Sequence, residues 1–254
     1  MKKGLLKTFL LVCLLVGSAF AWTAAQESKT IKLNEPNKKR GLPLMEALSV
    51  RASVRDWSEK DLSLQDLSDL LWAANGINRP ESGKRTASSA MNAQAVDIYV
   101  FMKDGAFLYD ASQHALIPVA DGDHRAEITM RPGGSPGGPP GAKPEGPAPA
   151  KAKIPPRAPE KKGPAGQPTP APIQLILVSE LSRFSRGPQE LKMEWAAIDT
   201  GIVSQNISLF CAATGMATRP RSSMNKDLIK SLLKLKETQF PILNHPVGYP
   251  KENS

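Results

Sequence analysis

Residues 95–110 read AVDIYVFMKDGAFLYD, and they carry the strongest strand signal in the sequence. From Val96 onward, apolar residues occupy every second position of its first half, which is the period of a β-strand. Asp104 and Gly105 follow as a dipeptide that is typical of the two-residue turn in a β-hairpin. A second run with phenylalanine and tyrosine completes the pattern. The stretch therefore predicts a β-hairpin.

Other segments add one buried strand and several helices. Residues 173–180, IQLILVSE, form a continuous apolar run, which predicts a strand that is buried on both faces. Residues 195–215 carry apolar side chains around most of a helical circumference, so we expect a central helix that Gly215 ends. Shorter helices are predicted for residues 42–49, 63–75 and 225–237. Four or five strands that do not alternate strictly with helices predict an α+β fold.

A segment rich in proline and glycine interrupts this pattern. Residues 131–172 contain 14 Pro and 8 Gly and no aromatic residue. Such a composition buries too little apolar surface to offset the entropy of ordering, so we expect disorder. The predicted organisation is a linker at 22–41 and one domain at 42–131 and 173–254, split by an insertion at 132–172. The insertion is either a tolerated surface loop or a basic tether to an acidic surface such as the cell envelope.

The first 21 residues have the pattern of a secretory signal peptide. Lysines precede an apolar run at 10–16, and Ala19-Phe20-Ala21 provides a cleavage site. The apolar run is too short to span a bilayer. We therefore expect cleavage after Ala21 and export from a bacterial cytoplasm to the periplasm or the medium, with membrane contact only if the segment is retained.

Charge, cysteine and histidine content exclude several classes of function. The net charge is +9, but the signal segment supplies +3 and residues 131–172 supply +5, so the folded part is nearly neutral and a nucleic-acid partner is not expected. Cys211 is the single cysteine after removal of the signal, which rules out an intramolecular disulfide. The three histidines, His114, His124 and His245, are scattered, and no metal site is predicted.

Residues 51–57, RASVRDW, place Arg51, Ser53 and Arg55 at alternate positions. In an extended chain alternate side chains point to one side, so all three could face one ligand. Guanidinium groups and a hydroxyl suit a phosphate, because arginine makes paired, charge-assisted hydrogen bonds to it. The alternative is an ordinary solvated edge on which these side chains bind nothing.

Six motifs in a fixed order resemble the nitroreductase superfamily of flavin oxidoreductases. They are R-x-S-x-R at 51–55, LxxLLWAANGINR at 67–79, SAMNAQ at 89–94, DxGxxxQNxxL at 199–209, GMATxxR at 215–221 and VGYP at 247–250. The resemblance extends from residue 42 to residue 251 and is strongest to the branch of thiazoline-oxidising, SagB-type dehydrogenases. It implies an α/β sandwich with a central, mostly antiparallel sheet flanked by helices. It also implies a homodimer with FMN bound at the subunit interface.

The same resemblance implies which residues hold the cofactor. They are Arg51, Ser53, Arg55, Ser89, Ala90, Asn92, Ala217, Thr218, Arg221 and Lys251.

Arg51 and Ser53 would bind the FMN phosphate and ribityl chain, and Arg55 the pyrimidine edge of the ring. The group from Ser89 to Asn92 would come from the opposing subunit. The backbone near Ala217 and Thr218 would approach the flavin N5 atom.

Two further cations, Arg221 and Lys251, would add to the phosphate contacts, although the motif alignment is loose at Lys251. The chain needs no catalytic side chain under this interpretation, because the flavin supplies the chemistry.

Two features depart from the family pattern. Ser88 replaces a proline that commonly precedes the Ser-Ala pair, and Ala95 and Val96 follow Gln94 where a Pro-Trp or similar pair is common. The Pro/Gly insertion lies where many relatives carry helices that cover the flavin. We therefore expect an open pocket, whose substrate is hard to predict.

The resemblance implies an exported FMN-dependent oxidoreductase with ping-pong electron transfer. Its substrates would be nitroaromatic or quinone-like acceptors, or a small organic or peptide-derived compound that is dehydrogenated. NAD(P)H is a candidate donor, but export weighs against it because nicotinamides are scarce outside the cytoplasm. The alternative is a non-catalytic flavin-binding or interaction module that contacts the cell envelope through its basic insertion.

For several polar and aromatic residues elsewhere in the sequence, a structural role is expected rather than a catalytic one. Asp199 is more typical of a helix cap than of an acid catalyst. Gln205 and Asn206 in the central helix are typical of satisfied core polar groups or dimer contacts. Trp72 and Trp195 are expected in the core or at an interface, and Cys211 as a small buried apolar group.

Overall fold

The computed structural model describes residues 29–129 and 170–251. The predicted signal peptide and nearly all of the predicted insertion lie outside the described residues. Within them, no helix is long and apolar enough to cross a membrane. No three His, Cys, Asp or Glu side chains of the same residues come together as a metal site would require.

The core of the fold is a seven-stranded antiparallel sheet with the order β1-β6-β5-β4-β7-β9-β8. A separate two-stranded ribbon pairs β2 with β3. The strands are β1 (Ile31–Lys32), β2 (Ile77–Arg79), β3 (Lys84–Arg85), β4 (Val96–Met102), β5 (Gly105–Asp110), β6 (Ala115–Asp121), β7 (Ile173–Glu180), β8 (Ala217–Thr218) and β9 (Gln239–Gly248).

Among residues 29–129 and 170–251, four helices flank the sheet. They are α1 (Leu44–Val50), α2 (Leu64–Asn75), α3 (Gln189–Thr214) and α4 (Lys226–Leu232). The predicted α+β class with a central antiparallel sheet is confirmed. The central helix α3 is longer than predicted, because it begins directly after Pro188 rather than near Trp195. It ends as predicted, with Gly215 in the left-handed conformation at φ 72°.

Both faces of the central strands are buried, which explains their apolar sequences. On β4 and β7, Ile98 and Leu175 face a core layer that contains α2 and α3. On the opposite face of the same strands, Phe101 and Ile176 face a second layer, which is formed by α4 and the 3-10 turn Glu127–Thr129. All eight residues of β7 are buried, as the run IQLILVSE predicts.

The sheet has more strands than the sequence predicts. The two end strands, β1 and β8, have two residues each and are too short to show a period. β9 contains Pro246, which argues against a strand because proline lacks an N–H. Asn244 N donates to Arg221 O at 2.7 Å, on the side of β9 that faces away from β7. Pro246 lies two residues further along the strand, so its nitrogen points to the same side. The proline therefore removes no hydrogen bond between β9 and β7.

The segment predicted as a linker, 22–41, joins the fold in its second half. β1 pairs with β6, and Leu33 is buried in the first core layer. The end of the predicted insertion is also packed. Arg125 Nη1 donates to Pro172 O at 2.8 Å, and Ala171 is fully buried. The chain therefore re-enters the domain close to the point at which it leaves it.

Replacing Gly105 with alanine is expected to destabilise the protein by about 2 kcal/mol. Gly105 has φ 151°, and an added Cβ would lie 2.5 Å from the backbone oxygen of Ala120. The matched control is Gly83→Ala, since Gly83 also has a positive φ (63°) but has open space around its Cα. Urea denaturation should show a loss of only about 1 kcal/mol for that control. Equal losses in the two variants would contradict the steric argument.

Candidate functional site

The loop at residues 51–58 is attached to the edge of the sheet by backbone hydrogen bonds. Val54 N donates to Thr218 O of β8 at 3.0 Å, and Ser58 N donates to Tyr249 O at 2.9 Å. Trp57 forms an isolated β-bridge with Pro250. These bonds place the loop between β8 and the end of the chain beyond β9.

Most side chains of the first part of this loop are exposed, including Ala52 and Asp56, so burial does not alternate strictly along it. Val54 is half-buried, whereas Arg51, Ser53 and Arg55 are exposed. Lys251 is exposed as well and directly follows Pro250, the bridge partner of Trp57. The structure thus brings four of the predicted site residues to one edge of the sheet. Three cations and a hydroxyl at this edge could bind a phosphate group.

Ala217 and Thr218 form β8, the edge strand against which the loop lies. Both residues are buried. Ala217 pairs with Gly248 and Thr218 with Val247 on β9. An added Cβ on Gly248 would lie 2.8 Å from Pro172 and 3.1 Å from Trp57, so the chain is closely packed here. The predicted backbone site is thus adjacent to the loop that carries Arg51.

Arg221 lies further along the same edge. It forms a β-bridge with Asn244, and its Nη2 donates to Ser223 O at 3.2 Å and to Thr129 O at 3.4 Å. Its guanidinium is thus directed at least in part to backbone carbonyls near the start of the predicted insertion.

A 3-10 turn (Ala90–Asn92) carries the next group of predicted site residues and is bonded to α3. Ala90 and Asn92 lie within this turn, and Ser89 directly precedes it. The carboxylate of Asp199 accepts from Ser89 Oγ at 2.8 Å and from Ala90 N at 3.0 Å. Ser89 Oγ in turn accepts from Gln94 N at 2.8 Å. The prediction that Asp199 caps a helix was therefore wrong, because α3 begins ten residues earlier and Asp199 lies within it; its carboxylate instead binds this distant turn.

The turn has an uncommon backbone that its neighbours stabilise. Met91, Asn92 and Gln94 all have positive φ values, near 50°, which non-glycine residues rarely adopt. Arg85 Nε donates to Gln94 Oε1, and Arg183 Nη1 donates to Gln94 O, both at 2.8 Å. Sequence reasoning did not select either arginine, because neither lies within a motif.

A small cavity adjoins this turn. Residues that line it include Asn75, Arg85, Ser89, Gln94 and Asp199, and its volume of about 10 Å³ is enough for a single water molecule. Burial lowers the pKa of Arg85. The turn is therefore anchored by a partly buried polar network.

Tyr249, for which the sequence indicates no role, secures the end of β9. Its hydroxyl donates to the Asp66 carboxylate and accepts from Ser63 N at 3.1 Å. It thereby completes the capping box that the sequence predicts at the start of α2, since aspartate at the third position is shorter than the usual glutamate. Arg40 also binds Asp66, at 2.7 Å. Burial alone would raise the pKa of Asp66, but the hydrogen bonds from Tyr249, Ser63 and Arg40 lower it.

Three of the other polar and aromatic candidates have structural partners, whereas Gln205 is exposed on α3 and is not a core polar group. Asn206 Nδ2 donates to Ala74 O at 3.2 Å, and Trp72 Nε1 donates to Ile77 O at 3.0 Å. Trp195 packs against Phe184, with ring centroids 5.7 Å apart. Cys211 is buried among apolar residues, as expected.

His245 is buried beside β8. Sequence reasoning had no basis to select it, because its spacing from other residues matches no motif. Its Nε2 lies 2.8 Å from Ser204 Oγ, and its Nδ1 lies 3.2 Å from Thr218 Oγ1. Burial lowers the pKa of His245 from 6.5 to about 3. The ring is therefore neutral at physiological pH.

The free energy of unfolding should depend on pH through His245. The unfolded chain binds a proton near pH 6.5 and the folded chain only near pH 3, so the stabilisation is complete above pH 6.5. It is lost as the pH falls from 6.5 towards 3, by at most about 1.4 kcal/mol per pH unit. Urea denaturation between pH 4.5 and 7.5 measures the free energy of unfolding as a function of pH. This free energy should change less steeply with pH in His245→Asn than in the wild-type protein. Identical pH dependences would contradict the assignment of this effect to His245.

Comparison with known proteins agrees with this architecture. A solved structure from Ralstonia eutropha, described as a nitroreductase, has a TM-score of 0.70 and 27% identity, over 89% of this chain and 91% of that chain. A chain of the Escherichia coli microcin synthetase McbBCD complex shares the fold, with a TM-score of 0.59 and 14% identity, over 98% of this chain and 92% of that chain.

Sequence comparison extends the likeness. A Methanocaldococcus jannaschii protein that is named as a nitroreductase is 25% identical over 213 residues, which cover 82% of this chain and 91% of that protein. The model of the nitroreductase family matches residues 48–249. Because this match spans most of the sequence, the chain belongs to the nitroreductase family.

Proposed function

We propose that this protein is an FMN-dependent oxidoreductase that binds the cofactor phosphate at the edge of the sheet beside β8. The observation that supports the proposal is the loop at 51–58, which hydrogen bonds hold against β8 with Arg51, Ser53 and Arg55 exposed. Family membership supports the same cofactor class. FMN, when bound, supplies the hydride and electron-transfer chemistry.

The residues at this edge suit the phosphate of FMN. Arg51 presents a planar set of donors that matches phosphate oxygens, and Ser53 adds a hydroxyl donor. Lys251 adds a third cation near the end of the chain. Arg55 would lie beside the pyrimidine edge, where a positive charge raises the reduction potential of a flavin.

We propose that the protein is a homodimer in which a second copy contributes Ser89, Ala90 and Asn92 to the site. Two neighbouring helices carry exposed apolar side chains, which supports a buried surface between copies. On α1, Leu44 is 62% exposed and Met45 75%, and on α3 Ile198 is 53% exposed. Asp199 fixes the turn that carries the contributed residues.

Replacing Met45 with aspartate is expected to shift the protein from dimer to monomer, because a charge would then be buried between the subunits. Sedimentation velocity or light scattering measures the change. The control is Glu46→Gln, at the next position of the same helix. A wild-type protein that is monomeric at micromolar concentrations would contradict the proposed dimer.

The electron donor and the direction of the reaction follow from the proposed export. An exported enzyme has little access to NAD(P)H, so we propose a different donor or a dehydrogenase reaction on a small organic or peptide-derived substrate. Stopped-flow reduction of the purified protein by NADPH should be slow and should not saturate. Fast, saturable reduction at cytoplasmic NADPH concentrations would contradict this part of the proposal.

The absorption spectrum of the purified protein tests the proposed cofactor. The protein should be yellow and should release FMN on denaturation, at close to one FMN per chain. A colourless protein that does not bind added FMN would contradict the proposal. It would favour instead a role in association through the basic segment at 131–172.

A further inference from the structure

A line of buried polar groups runs from the central helix α3 to the edge strand β8. Ser204 on α3, His245 on β9 and Thr218 on β8 are at most 6% exposed. The His245 ring lies between the other two, with its nitrogen atoms 2.8 Å from Ser204 Oγ and 3.2 Å from Thr218 Oγ1. These contacts connect elements that are far apart in the sequence.

The hydrogen bonds assign the protonation state of the ring. Thr218 Oγ1 donates its proton to Pro246 O at 2.9 Å, so it must accept from His245 Nδ1. In a neutral ring, Nε2 then has no proton and accepts from Ser204 Oγ. Both nitrogen atoms of the ring therefore have a partner, and the hydroxyl of Thr218 both donates and accepts.

The strand that contains Thr218 is short and lies at the edge of the sheet. β8 has two residues, and β9 is its one strand neighbour in the sheet order. On its other side, Thr218 O accepts the hydrogen bond from Val54 N at 3.0 Å. Val54 is the half-buried residue between Ser53 and Arg55. Thr218 is therefore the anchor of the loop that lies nearest to the exposed side chains of Ser53 and Arg55.

We infer that His245 is a positioning residue for the cofactor-phosphate loop and acts through Thr218. The inference rests on the proposed function, since it assigns to His245 the support of the proposed FMN site. His245 does not contact the loop itself. Its ring binds the side-chain oxygen of Thr218. The backbone oxygen of Thr218 in turn accepts a hydrogen bond from Val54 N, between Ser53 and Arg55.

Two variants of His245 test the inference. His245→Leu removes both hydrogen bonds of the ring, whereas His245→Asn retains a donor that can take the place of Nδ1 towards Thr218. The Kd for FMN, measured from flavin fluorescence at a temperature at which each variant is folded, should rise about tenfold or more for His245→Leu. The rise should be clearly smaller for His245→Asn.

A measurement without FMN separates positioning from general loss of stability. The exchange rate of the Val54 amide, followed by NMR, should rise about tenfold in His245→Leu as the loop opens more often. The control is Ser208→Ala, a buried serine on α3 whose hydroxyl donates to Ser204 O at 2.9 Å within the same helix. That variant should leave both the Val54 exchange rate and the Kd for FMN unchanged. Thr218→Val, which removes the hydroxyl at nearly constant volume, should reproduce the effect of His245→Leu.

The two proposals fail in different ways. If His245→Leu lowers the melting temperature but leaves the Val54 exchange rate and the Kd for FMN unchanged, the positioning role is overturned. If the wild-type protein does not bind FMN but the Val54 amide responds as expected, the proposed cofactor is wrong while the structural role of His245 stands.

Discussion

Replacing Arg51 with alanine is expected to weaken FMN binding by more than about tenfold, because hydrogen bonds to a charged group contribute about 1.5–3 kcal/mol. Arg51 lies at the end of α1, where its backbone N donates to Ala47 O at 3.0 Å. The helix fixes the backbone, while the exposed guanidinium is available for a ligand. Flavin fluorescence titration of the apoprotein measures the change in Kd.

The matched control for this variant is Arg186→Ala. Arg186 is also an exposed arginine, and it lies in the turn before α3, outside the loop at 51–58 that is proposed to bind the phosphate. The control should keep the wild-type Kd for FMN, which excludes a general effect of lost positive charge. An Arg51→Ala protein that binds FMN with wild-type affinity would show that the phosphate lies elsewhere.

Replacing Asp199 with alanine is expected to lower the free energy of unfolding by about 3 kcal/mol, since two hydrogen bonds to a buried carboxylate are lost. The carboxylate is 2% exposed and accepts from Ser89 Oγ and Ala90 N. Its removal leaves both donors without this partner and frees a turn whose positive φ values are costly. Urea denaturation at fixed protein concentration measures the loss.

Two further variants define the origin of that loss. Asp199→Asn retains an acceptor oxygen for Ala90 N and should cost less than Asp199→Ala. Glu190→Ala removes an exposed carboxylate from the first turn of the same helix, and the cost should stay below about 1 kcal/mol. If Asp199→Ala costs no more than Glu190→Ala, the carboxylate does not hold the turn.

Local patterns were sufficient to predict the main elements of the sheet and its helices. The hairpin at β4 and β5 follows from a period of two and the Asp-Gly signal, and both strands are present. The turn lies one residue earlier than predicted, at Lys103 and Asp104, because Met102 pairs with Gly105, which is the first residue of β5. The fully apolar run of β7 is buried on both sides. These predictions succeed because each depends on side chains that are adjacent or a few positions apart in the chain.

Short strands and strands with proline were missed for the same physical reason. Two residues of β8 cannot show a period, and they form a strand because β9 offers free backbone groups there. Pro246 occupies a strand because its nitrogen points away from β7. In both cases the neighbouring strand, and not the local sequence, determines the conformation.

Patterns along the chain were enough to predict the α+β class and to find the family motifs. The partners of the buried polar groups became evident only in the folded protein. Asp199 reaches Ser89, 110 positions away, and His245 joins Ser204 to Thr218. A hydrogen bond depends on distance and direction in space, and residues that are far apart in sequence carry no periodic signal of such a contact.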